Sequence, residues 1–290
     1  MNSWKLPDSR TKLCCLIGYP VKQSPSPAIH NAAFQHLRIN AIYMSFAVPE
    51  NELAKAVGGF RAIGLLGANV TMPHKEAVMK LLDHVDPWAK RIGAVNTLAN
   101  EDGKLTGHNT DADGFANPLR RRAKLDKLDA VIIGAGGASK ACAFALGRGG
   151  CREILILNRT VSRAQSLAVA MGKEFGIKVS AKVLNRKNLQ STTAGYNLIV
   201  NATPLGMHEG WFKMSLGKSK LEKGTIAYDL VYRPIETEFL QEFGKLGATC
   251  INGYEMLVEQ AALSFEMWTG KKAPKATMTE TALSAIGAKP

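Results

Sequence analysis

The sequence predicts an α/β protein of two domains, and three observations support this fold class. The chain has 290 residues, a length that suits one large or two ordinary domains. Its composition, 46% hydrophobic and 21% charged, is typical of a folded globular protein. Apolar strand-like runs alternate with helical patterns along the chain, and this alternation favours right-handed crossovers and parallel sheets.

The first half begins with a short apolar strand over 12–17, which ends at Gly18. The pattern after it predicts a helix over 27–38, a strand over 41–48, a helix over 50–63 and a strand over 65–70. Another helix is predicted to begin near Pro73, because proline suits the first turn of a helix. Strands over 95–100 and 104–109 flank an Asp-Gly pair, which predicts a hairpin.

The second half begins with a predicted helix over 111–119. A buried strand over 129–133, a glycine-rich turn and a helix to about Gly149 follow it. The other predicted elements are strand 153–157, helix 161–175 and strands 178–183, 196–201 and 224–230. A long helix over 254–268 is expected to pack back on the first domain because it follows the second sheet. Residues 271–290 are small and polar, which predicts a weakly held tail.

Composition also limits the class of protein. No apolar run approaches the ~18 residues of a membrane span, and residues 1–10 lack the hydrophobic core of a signal peptide, so we expect a cytoplasmic location. The chain has five cysteines and no C-x-x-C pair, so neither a disulfide framework nor a metal site is expected. Cys14 and Cys15 lie within strand 12–17 and are predicted to pack in the core.

The formal net charge of +13 gives the protein a basic surface, which attracts anions, nucleic acid among them. The lysines and arginines are scattered, apart from Arg120, Arg121 and Arg122 at the end of a predicted helix. This pattern is typical of a solvated surface. The sequence contains no recognisable nucleic-acid-binding motif, so we expect neither nucleic acid nor a membrane as a partner.

A glycine-rich turn follows strand 129–133 and precedes a helix. It consists of Gly134, Ala135, Gly136, Gly137 and Ala138, followed by Ser139. Glycines let the backbone turn tightly and approach a pyrophosphate, and the start of a helix offers free N–H groups to phosphates. Ser139 stands where a third glycine is usual and is still small enough for close helix–strand packing. The strand–turn–helix context predicts a dinucleotide site.

The end of the next strand distinguishes NAD from NADP. NAD sites carry an acidic residue about 20 residues beyond the glycines. This chain has Asn158, Arg159 and Thr160 there, with Arg163 one helical turn further on. A guanidinium group presents a fork of donors that suits phosphate oxygens. We therefore predict that these residues bind the 2′-phosphate of NADP.

Polar clusters follow several strands of the first half, where open α/β sheets bind ligands. They are Ser24 with Ser26, residues 69–75, Asn96, and residues 109–111. The motifs at 18–31, 67–75, 94–97, 107–111, 201–207, 228–232 and 253–260 resemble, in order, those of the shikimate/quinate dehydrogenase family. The resemblance covers roughly residues 12–270.

The resemblance implies roles for individual side chains. Lys75 would be the general acid/base, and Asp111 would pair with it and bind the substrate hydroxyl. In the first turn of a helix, the positive dipole end would disfavour the Lys75 ammonium. The other residues implied in substrate binding are Ser24 and Ser26, on the substrate carboxylate, and Thr71, Asn96, Tyr232 and Gln260, around the ring. Those implied in cofactor binding, besides the glycine turn and 158–163, are Thr203, Leu230 and Gly253.

Some positions stay open at this stage. His74 is expected to be structural rather than a proton shuttle. Met207 and Met256 belong either to the core or to the surroundings of the nicotinamide. Glu255 stands where the family commonly has a small residue, so it is expected to narrow or recharge the nicotinamide wall, and Arg233 adds charge nearby.

The resemblance thus implies a substrate domain over 1–110, completed by 253–290, and a Rossmann-like dinucleotide-binding domain over 111–252, with the active site in the interdomain groove. The implied reaction is the NADPH-dependent, reversible reduction of 3-dehydroshikimate to shikimate, a small-molecule substrate of aromatic amino acid biosynthesis. Two alternatives are a quinate/shikimate dehydrogenase and a non-catalytic NADP-binding module. The sequence leaves the oligomeric state open between a monomer and a homodimer.

Overall fold

The computed structural model describes residues 6–192, 195–206, 216 and 220–287. Contacts within the chain divide it into two units. Unit 1 comprises Met1–Thr110 with Val258–Pro290, and unit 2 comprises Asp111–Leu257. Within the described ranges, none of the helices combines the length and the apolar character that crossing a membrane requires.

The elements of the chain up to residue 110 belong to unit 1. They are β1 (Lys12–Gly18), α1 (Ser26–His36), β2 (Ala41–Ala47), α2 (Leu53–Ala62), β3 (Gly67–Val70), β4 (His84–Val85), α3 (Pro87–Ile92), β5 (Thr97–Glu101) and β6 (Lys104–His108). Short 3-10 helices lie at Glu50–Glu52 and Ala77–Leu81.

The elements that follow are mostly those of unit 2. They are α4 (Asp111–Arg120), β7 (Asp129–Ile133), α5 (Gly137–Arg148), β8 (Glu153–Asn158), α6 (Val161–Phe175), β9 (Lys178–Val183), α7 (Arg186–Thr192), β10 (Leu198–Asn201), β11 (Ile226–Asp229), α8 (Glu238–Lys245) and β12 (Thr249–Ile251). Two helices, α9 (Gly253–Thr269) and α10 (Lys275–Ile286), end the described chain.

The sheet of unit 1 has the strand order β2-β1-β3-β5-β6-β4. β1 pairs in parallel with β2 and β3, whereas β5 pairs antiparallel with β3 and β6. Asp102 and Gly103 both have positive φ angles, 50° and 85°, as a tight hairpin turn requires. The predicted hairpin is confirmed. Because β5 pairs antiparallel with both of its neighbours, the sheet of unit 1 is mixed, and the parallel pairing that the alternation favours holds for β1, β2 and β3.

Helix α9 packs on this sheet at a glycine. A Cβ atom added at Gly67 would lie 2.1 Å from Trp268 Nε1, so only glycine leaves room for the indole. The same Nε1 donates to the carbonyl of Leu98 at 2.9 Å, and Trp268 is 7% exposed. The predicted return of the last long helix to the first domain is confirmed by these contacts within unit 1.

The end of the chain is better held than its composition suggests. α10 packs against α1, with Met278, Ala282 and Ile286 buried at helical spacing. The prediction of a weakly held tail over 271–290 is therefore wrong over α10. Small residues give a weak apolar pattern, but they allow two helices to approach closely.

The sheet of unit 2 has the order β12-β11-β10-β7-β8-β9, and all of its pairs are parallel. This is the doubly wound order, in which the chain reverses direction between β7 and β10 and leaves a crevice for ligands at that point. Central strands of such a sheet are covered on both faces, and every residue of β10 and β11 is buried. The predicted parallel sheet is confirmed here, although α7, α8 and β12 were not predicted.

The adjacent cysteines of β1 behave as predicted. Cys14 and Cys15 are both fully buried. Burial raises the pKa of both thiols, that of Cys15 to about 12. They are therefore neutral packing groups at physiological pH.

Candidate active site

In unit 1, the loops after β1 and β3 are joined through their backbones. Tyr19 N donates to Met72 O at 3.0 Å, and Thr71 N donates to Ile17 O at 2.9 Å. A Cβ atom at Gly18 would lie 2.3 Å from Thr71 Cγ2. Glycine at this strand end therefore lets Thr71, a predicted substrate residue, sit against β1.

The two predicted carboxylate-binding serines are neighbours. Ser24 Oγ donates to Ser26 Oγ at 3.2 Å, and Ser26 N donates to Ser24 Oγ at 3.3 Å. Ser26 is the first residue of α1, whose N-terminal end has no side-chain cap. The positive end of the helix dipole and the two neighbouring hydroxyls favour an anion at this helix start, so the arrangement suits a carboxylate.

The backbone around Lys75 departs from the prediction. Residues 72–76 form turns and the Ala77–Leu81 segment is a 3-10 helix, so the α-helix predicted to begin near Pro73 is wrong. The carbonyls that it would use have other donors, since Met72 O accepts from Tyr19 N and Lys75 O accepts from Val95 N at 2.8 Å. Because no α-helix begins at Pro73, the effect of a helix dipole on the Lys75 ammonium that we predicted does not arise.

The hydrogen bond from Val95 N to Lys75 O holds the backbone of Lys75 close to Asn96, the next predicted substrate residue in the chain. Lys75 is half-buried, and its carbonyl holds the residue that precedes Asn96 in the chain. Asn96 N in turn donates to His108 O at 3.0 Å. The loops that carry Lys75 and Asn96 are thus joined beside the end of β6.

The amide of Asn96, which is 2% exposed, is held in one orientation. Thr110 N donates to Asn96 Oδ1 at 2.7 Å, and because a backbone N–H needs an acceptor, this atom is the oxygen. Asn96 Nδ2 donates to Thr110 Oγ1 at 2.9 Å and to Gln260 Oε1 at 3.5 Å. The structure thus brings Asn96 and Gln260, both predicted substrate residues, together.

His74 has the structural role that we expected. It is 1% exposed, and its Nε2 lies 2.7 Å from Val48 O. A carbonyl oxygen accepts, so the imidazole donates to it and anchors the loop before Lys75. This ring nitrogen is therefore committed to the loop that follows β2.

In unit 2, the glycine-rich turn has the shape that a dinucleotide needs. Gly134 has a φ of 116°, and a Cβ there would lie 2.8 Å from Ser139 Oγ and 2.9 Å from Thr203 Cγ2. A Cβ at Gly136 would meet nothing within 4 Å, so its surroundings are open. No side chain caps the start of α5, which leaves its N–H groups for phosphate oxygens.

The segment after β8 lies at the surface. Arg159, Thr160 and Arg163 are exposed and Asn158 is half-buried. Asn158 Nδ2 donates to Thr160 O at 2.9 Å, and Arg163 N donates to the same carbonyl at 3.2 Å. Both arginines therefore start from one short backbone turn at the carboxyl end of β8, next to β7 and its glycines.

A buried carboxylate organises the ends of β10 and β11. Asp229, fully buried, accepts from Asn201 Nδ2 at 2.9 Å, from Val231 N at 2.9 Å and from Thr237 Oγ1 at 2.6 Å. Asn201 Oδ1 also accepts from Thr203 Oγ1 at 2.7 Å. The predicted cofactor residue Thr203 is therefore tied to the same network.

This carboxylate should make stability depend on pH. Burial raises the pKa of Asp229 from 3.8 to about 6, against the effect of its three donors. The folded state thus binds the proton of Asp229 more tightly than the unfolded chain does. The contribution of this protonation to the unfolding free energy is therefore complete below about pH 4 and is lost as the pH rises through about 6.

The variant Asp229→Asn keeps the shape of the side chain and is neutral at every pH, so its unfolding free energy does not fall in this way as the pH rises. We expect the unfolding free energy of the variant, relative to the parent protein, to rise by on the order of 3 kcal/mol from about pH 4 to about pH 7. Denaturant titrations across that range measure the difference. A difference that does not change with pH would contradict the expectation.

Two other predicted cofactor residues are in contact. A Cβ atom at Gly253 would lie 2.5 Å from Leu230 O and 2.7 Å from Val231 O, so glycine is required for this approach. Tyr232 follows in the same loop; it is half-buried, and burial raises its pKa. Met256 is buried, whereas Met207 lies outside the described residues.

Asp111 begins α4, where a carboxylate is stabilised by the helix dipole. It is 4% exposed. Among the residues predicted for catalysis it is the one that lies in unit 2. Thr110, the last residue of unit 1's first segment, precedes it directly and bonds Asn96.

Family models match three parts of the chain. The shikimate dehydrogenase substrate binding domain matches residues 16–98, shikimate/quinate 5-dehydrogenase matches 119–226, and the shikimate 5′-dehydrogenase C-terminal domain matches 253–283. A Methanopyrus kandleri protein named shikimate dehydrogenase (NADP(+)) is 44% identical over 279 residues, which are 95% of this chain and 96% of the relative. The chain belongs to the shikimate dehydrogenase family.

Solved structures of the family share the fold. Shikimate 5-dehydrogenase from Listeria monocytogenes, in complex with shikimate and NAD, matches with a TM-score of 0.87 and 33% identity over 96% of this chain and 98% of that one. The Thermus thermophilus enzyme, in complex with NADP(H) and shikimate, gives 0.80 and 34% over 95% and 100%. The predicted family and the predicted α/β fold with its two kinds of domain are confirmed.

Glu255, which departs from the usual small residue of the family, has acquired partners. Its side chain is 14% exposed, and it accepts from Arg121 Nη2 at 3.3 Å and from Arg122 Nη1 and Nη2 at 3.0 and 2.8 Å. Arg121 and Arg122 are exposed, as predicted for a solvated surface, and the carboxylate on α9 pairs with both. The two guanidinium groups offset the charge that Glu255 adds.

Sequence reasoning missed several polar residues behind the site. Thr97, Ser264 and Tyr43 are buried and bond Asn69, but their motifs gave them no role. The pair Asn96-Thr97 was a signal, since two adjacent polar residues at the start of a buried strand need partners. Ser264 carried no signal because its partners lie far away in the sequence.

Proposed function

We propose that this member of the family is an NADP-dependent oxidoreductase that catalyses the reversible reduction of 3-dehydroshikimate to shikimate, a step of aromatic amino acid biosynthesis. The observation that carries the proposal is the backbone bond from Val95 N to Lys75 O, which joins the loop that carries Lys75 to the residue before the fixed amide of Asn96. An ionisable group next to directed hydrogen-bond donors is what a secondary alcohol and its ring hydroxyls require.

The glycine turn and the arginines fit NADP. Residues 134–138 and the uncapped start of α5 would hold the pyrophosphate, and Arg159 and Arg163, with Asn158 and Thr160, would hold the 2′-phosphate. Thr203, Leu230 and Gly253 would complete the cofactor site. When bound, NADPH supplies a hydride to the carbonyl carbon of the substrate.

The side chains of this chain divide the remaining tasks. Lys75 gives a proton to the carbonyl oxygen during reduction and takes it back during oxidation. Asp111 accepts a hydrogen bond from the substrate hydroxyl, which is present in shikimate and is formed when the carbonyl is reduced. Ser24 and Ser26 bind the carboxylate. Thr71, Asn96, Tyr232 and Gln260 bind the ring hydroxyls.

Initial rates with four pairs of substrates test the proposal. Shikimate with NADP should be turned over. Replacing NADP by NAD should lower kcat/KM, because a bidentate arginine distinguishes a phosphate from a hydroxyl. Replacing shikimate by quinate should also lower kcat/KM. Equal rates with quinate would instead favour the quinate/shikimate dehydrogenase. Binding of NADP without any turnover would overturn the proposal in favour of a non-catalytic module.

A cytoplasmic location and a homodimer stay predictions. Cell fractionation tests the first, and light scattering on the purified protein tests the second.

A further inference from the structure

Behind the proposed substrate residues of unit 1 lies a closed set of three hydroxyls, here called the hydroxyl cluster, from Thr97, Thr110 and Ser264. All three residues are buried, and Ser264 and Thr97 have no exposed surface. Ser264 lies on α9, one helical turn after Gln260. None of the roles proposed above uses it.

Ser264 Oγ lies at the centre of this cluster. It is 2.8 Å from Thr97 Oγ1 and 3.2 Å from Thr110 Oγ1, it accepts from Asn69 Nδ2 at 3.0 Å, and it donates to Gln260 O at 3.0 Å. One side-chain oxygen therefore joins β5, the end of β6, the end of β3 and α9.

The hydrogens of the cluster show why this oxygen matters for Asn96. Asn96 Oδ1 has two lone pairs, and Thr110 N donates to one of them. Both threonine hydroxyls compete for the other, from 3.1 Å for Thr97 and 3.3 Å for Thr110. Only one of them can donate there. The other acceptors near Thr97 Oγ1 are Ser264 Oγ at 2.8 Å and Thr110 Oγ1 at 3.2 Å, so Ser264 offers the nearer one. Without Ser264, the Thr97 hydroxyl loses this acceptor and competes with Thr110 at the Asn96 oxygen.

We propose that Ser264 is a positioning residue for substrate: it satisfies the surplus threonine hydroxyl, keeps the Asn96 amide in its single orientation and holds the turn of α9 that carries Gln260. The proposal deepens the proposed function and rests on Asn96 and Gln260 binding the substrate ring. Ser264 touches no substrate itself, so it acts on substrate affinity through these two amides.

The test compares Ser264→Ala with Thr269→Ala. Thr269 lies on the same helix and, like Ser264, donates to the carbonyl one turn earlier, Phe265 O at 2.7 Å, but it does not contact the hydroxyl cluster. We expect Ser264→Ala to raise the KM for shikimate about 3- to 10-fold, the scale of one lost buried hydrogen bond. The KM for NADP should stay unchanged, and Thr269→Ala should change neither constant.

A role in stability alone would give a different pattern. It would lower the unfolding midpoint of Ser264→Ala and leave the KM for shikimate unchanged, which would overturn the proposal. Ser264→Cys, which keeps the volume but is a weak hydrogen-bonding group, provides the same measurement if the alanine variant does not fold. If neither variant folds, Ser264 is structural and the proposal is wrong.

A third variant, Asn96→Ala, separates this proposal from the proposed function. A raised KM for shikimate in Asn96→Ala but not in Ser264→Ala overturns only the role of Ser264. An unchanged KM for shikimate in Asn96→Ala contradicts the proposed role of Asn96 in substrate binding and, with it, the positioning role of Ser264. A rise in both variants, with the KM for NADP constant, supports the positioning role.

Discussion

Replacing Lys75 by alanine should lower kcat at least ~100-fold, the usual scale for the loss of a general acid/base. The substitution removes the amine, while the backbone that positions the loop is kept, because the loop is held by bonds of main-chain atoms at Met72 and Lys75 and by the buried ring of His74. Steady-state rates at saturating shikimate and NADP measure the effect. The KM for NADP should not change, since the predicted cofactor residues lie elsewhere in the chain.

Lys80→Ala is the matched control for this variant. Lys80 is exposed and lies in the 3-10 helix that follows Lys75, so its removal takes away a similar charge without a proposed role. Its kcat should equal that of the parent protein. Unchanged turnover in Lys75→Ala would end the proposed role of this amine, and a loss in both variants would show that charge alone matters.

Replacing Arg159 by alanine should raise the KM for NADPH about 10- to 100-fold and leave that for NADH almost unchanged. A hydrogen bond to a charged group contributes about 1.5–3 kcal/mol, and the guanidinium fork can offer two to one phosphate. NADH lacks the 2′-phosphate and therefore has nothing to lose. The ratio of kcat/KM for the two cofactors reports the change.

Arg152→Ala is the control for the cofactor variant. Arg152 precedes β8 and pairs with Asp129, whereas Arg159 follows β8, so the two arginines lie at opposite ends of one strand. Arg152→Ala should leave the cofactor preference unchanged. Equal increases in KM for NADPH and NADH in Arg159→Ala would contradict the assignment of the 2′-phosphate.

Most of the fold of unit 2 could be predicted, because its signals are local. Buried parallel strands appear as short apolar runs, as in β7 and β8. Position 134 has a positive φ, and because glycine is the residue that adopts such an angle readily, its presence there predicts the turn. The missed α7 and α8 are short helices, and each buries apolar residues on one face only. These are Leu189 in α7 and Phe239, Leu240 and Phe243 in α8.

One failed prediction and two missed contacts have the same physical cause, which is bonding to partners far away in the sequence. Pro73 starts no helix because N–H groups of the loops after β1 and before β5 take the carbonyls there. The bonded residues Thr97 and Ser264 lie 167 positions apart, so no local pattern could link them. The partners of Glu255 lie 133 and 134 positions away, beyond the range of any helical or strand periodicity.

The absent side chain at Gly67 and the indole of Trp268 fill one volume between them. Neither position can be exchanged alone: a methyl group on one side demands a smaller ring on the other, and a smaller ring alone leaves an empty volume. Gly67 at the beginning of β3 and Trp268 near the end of α9 are therefore limited by the same packing contact, and a redesign of this domain has to treat them as a pair.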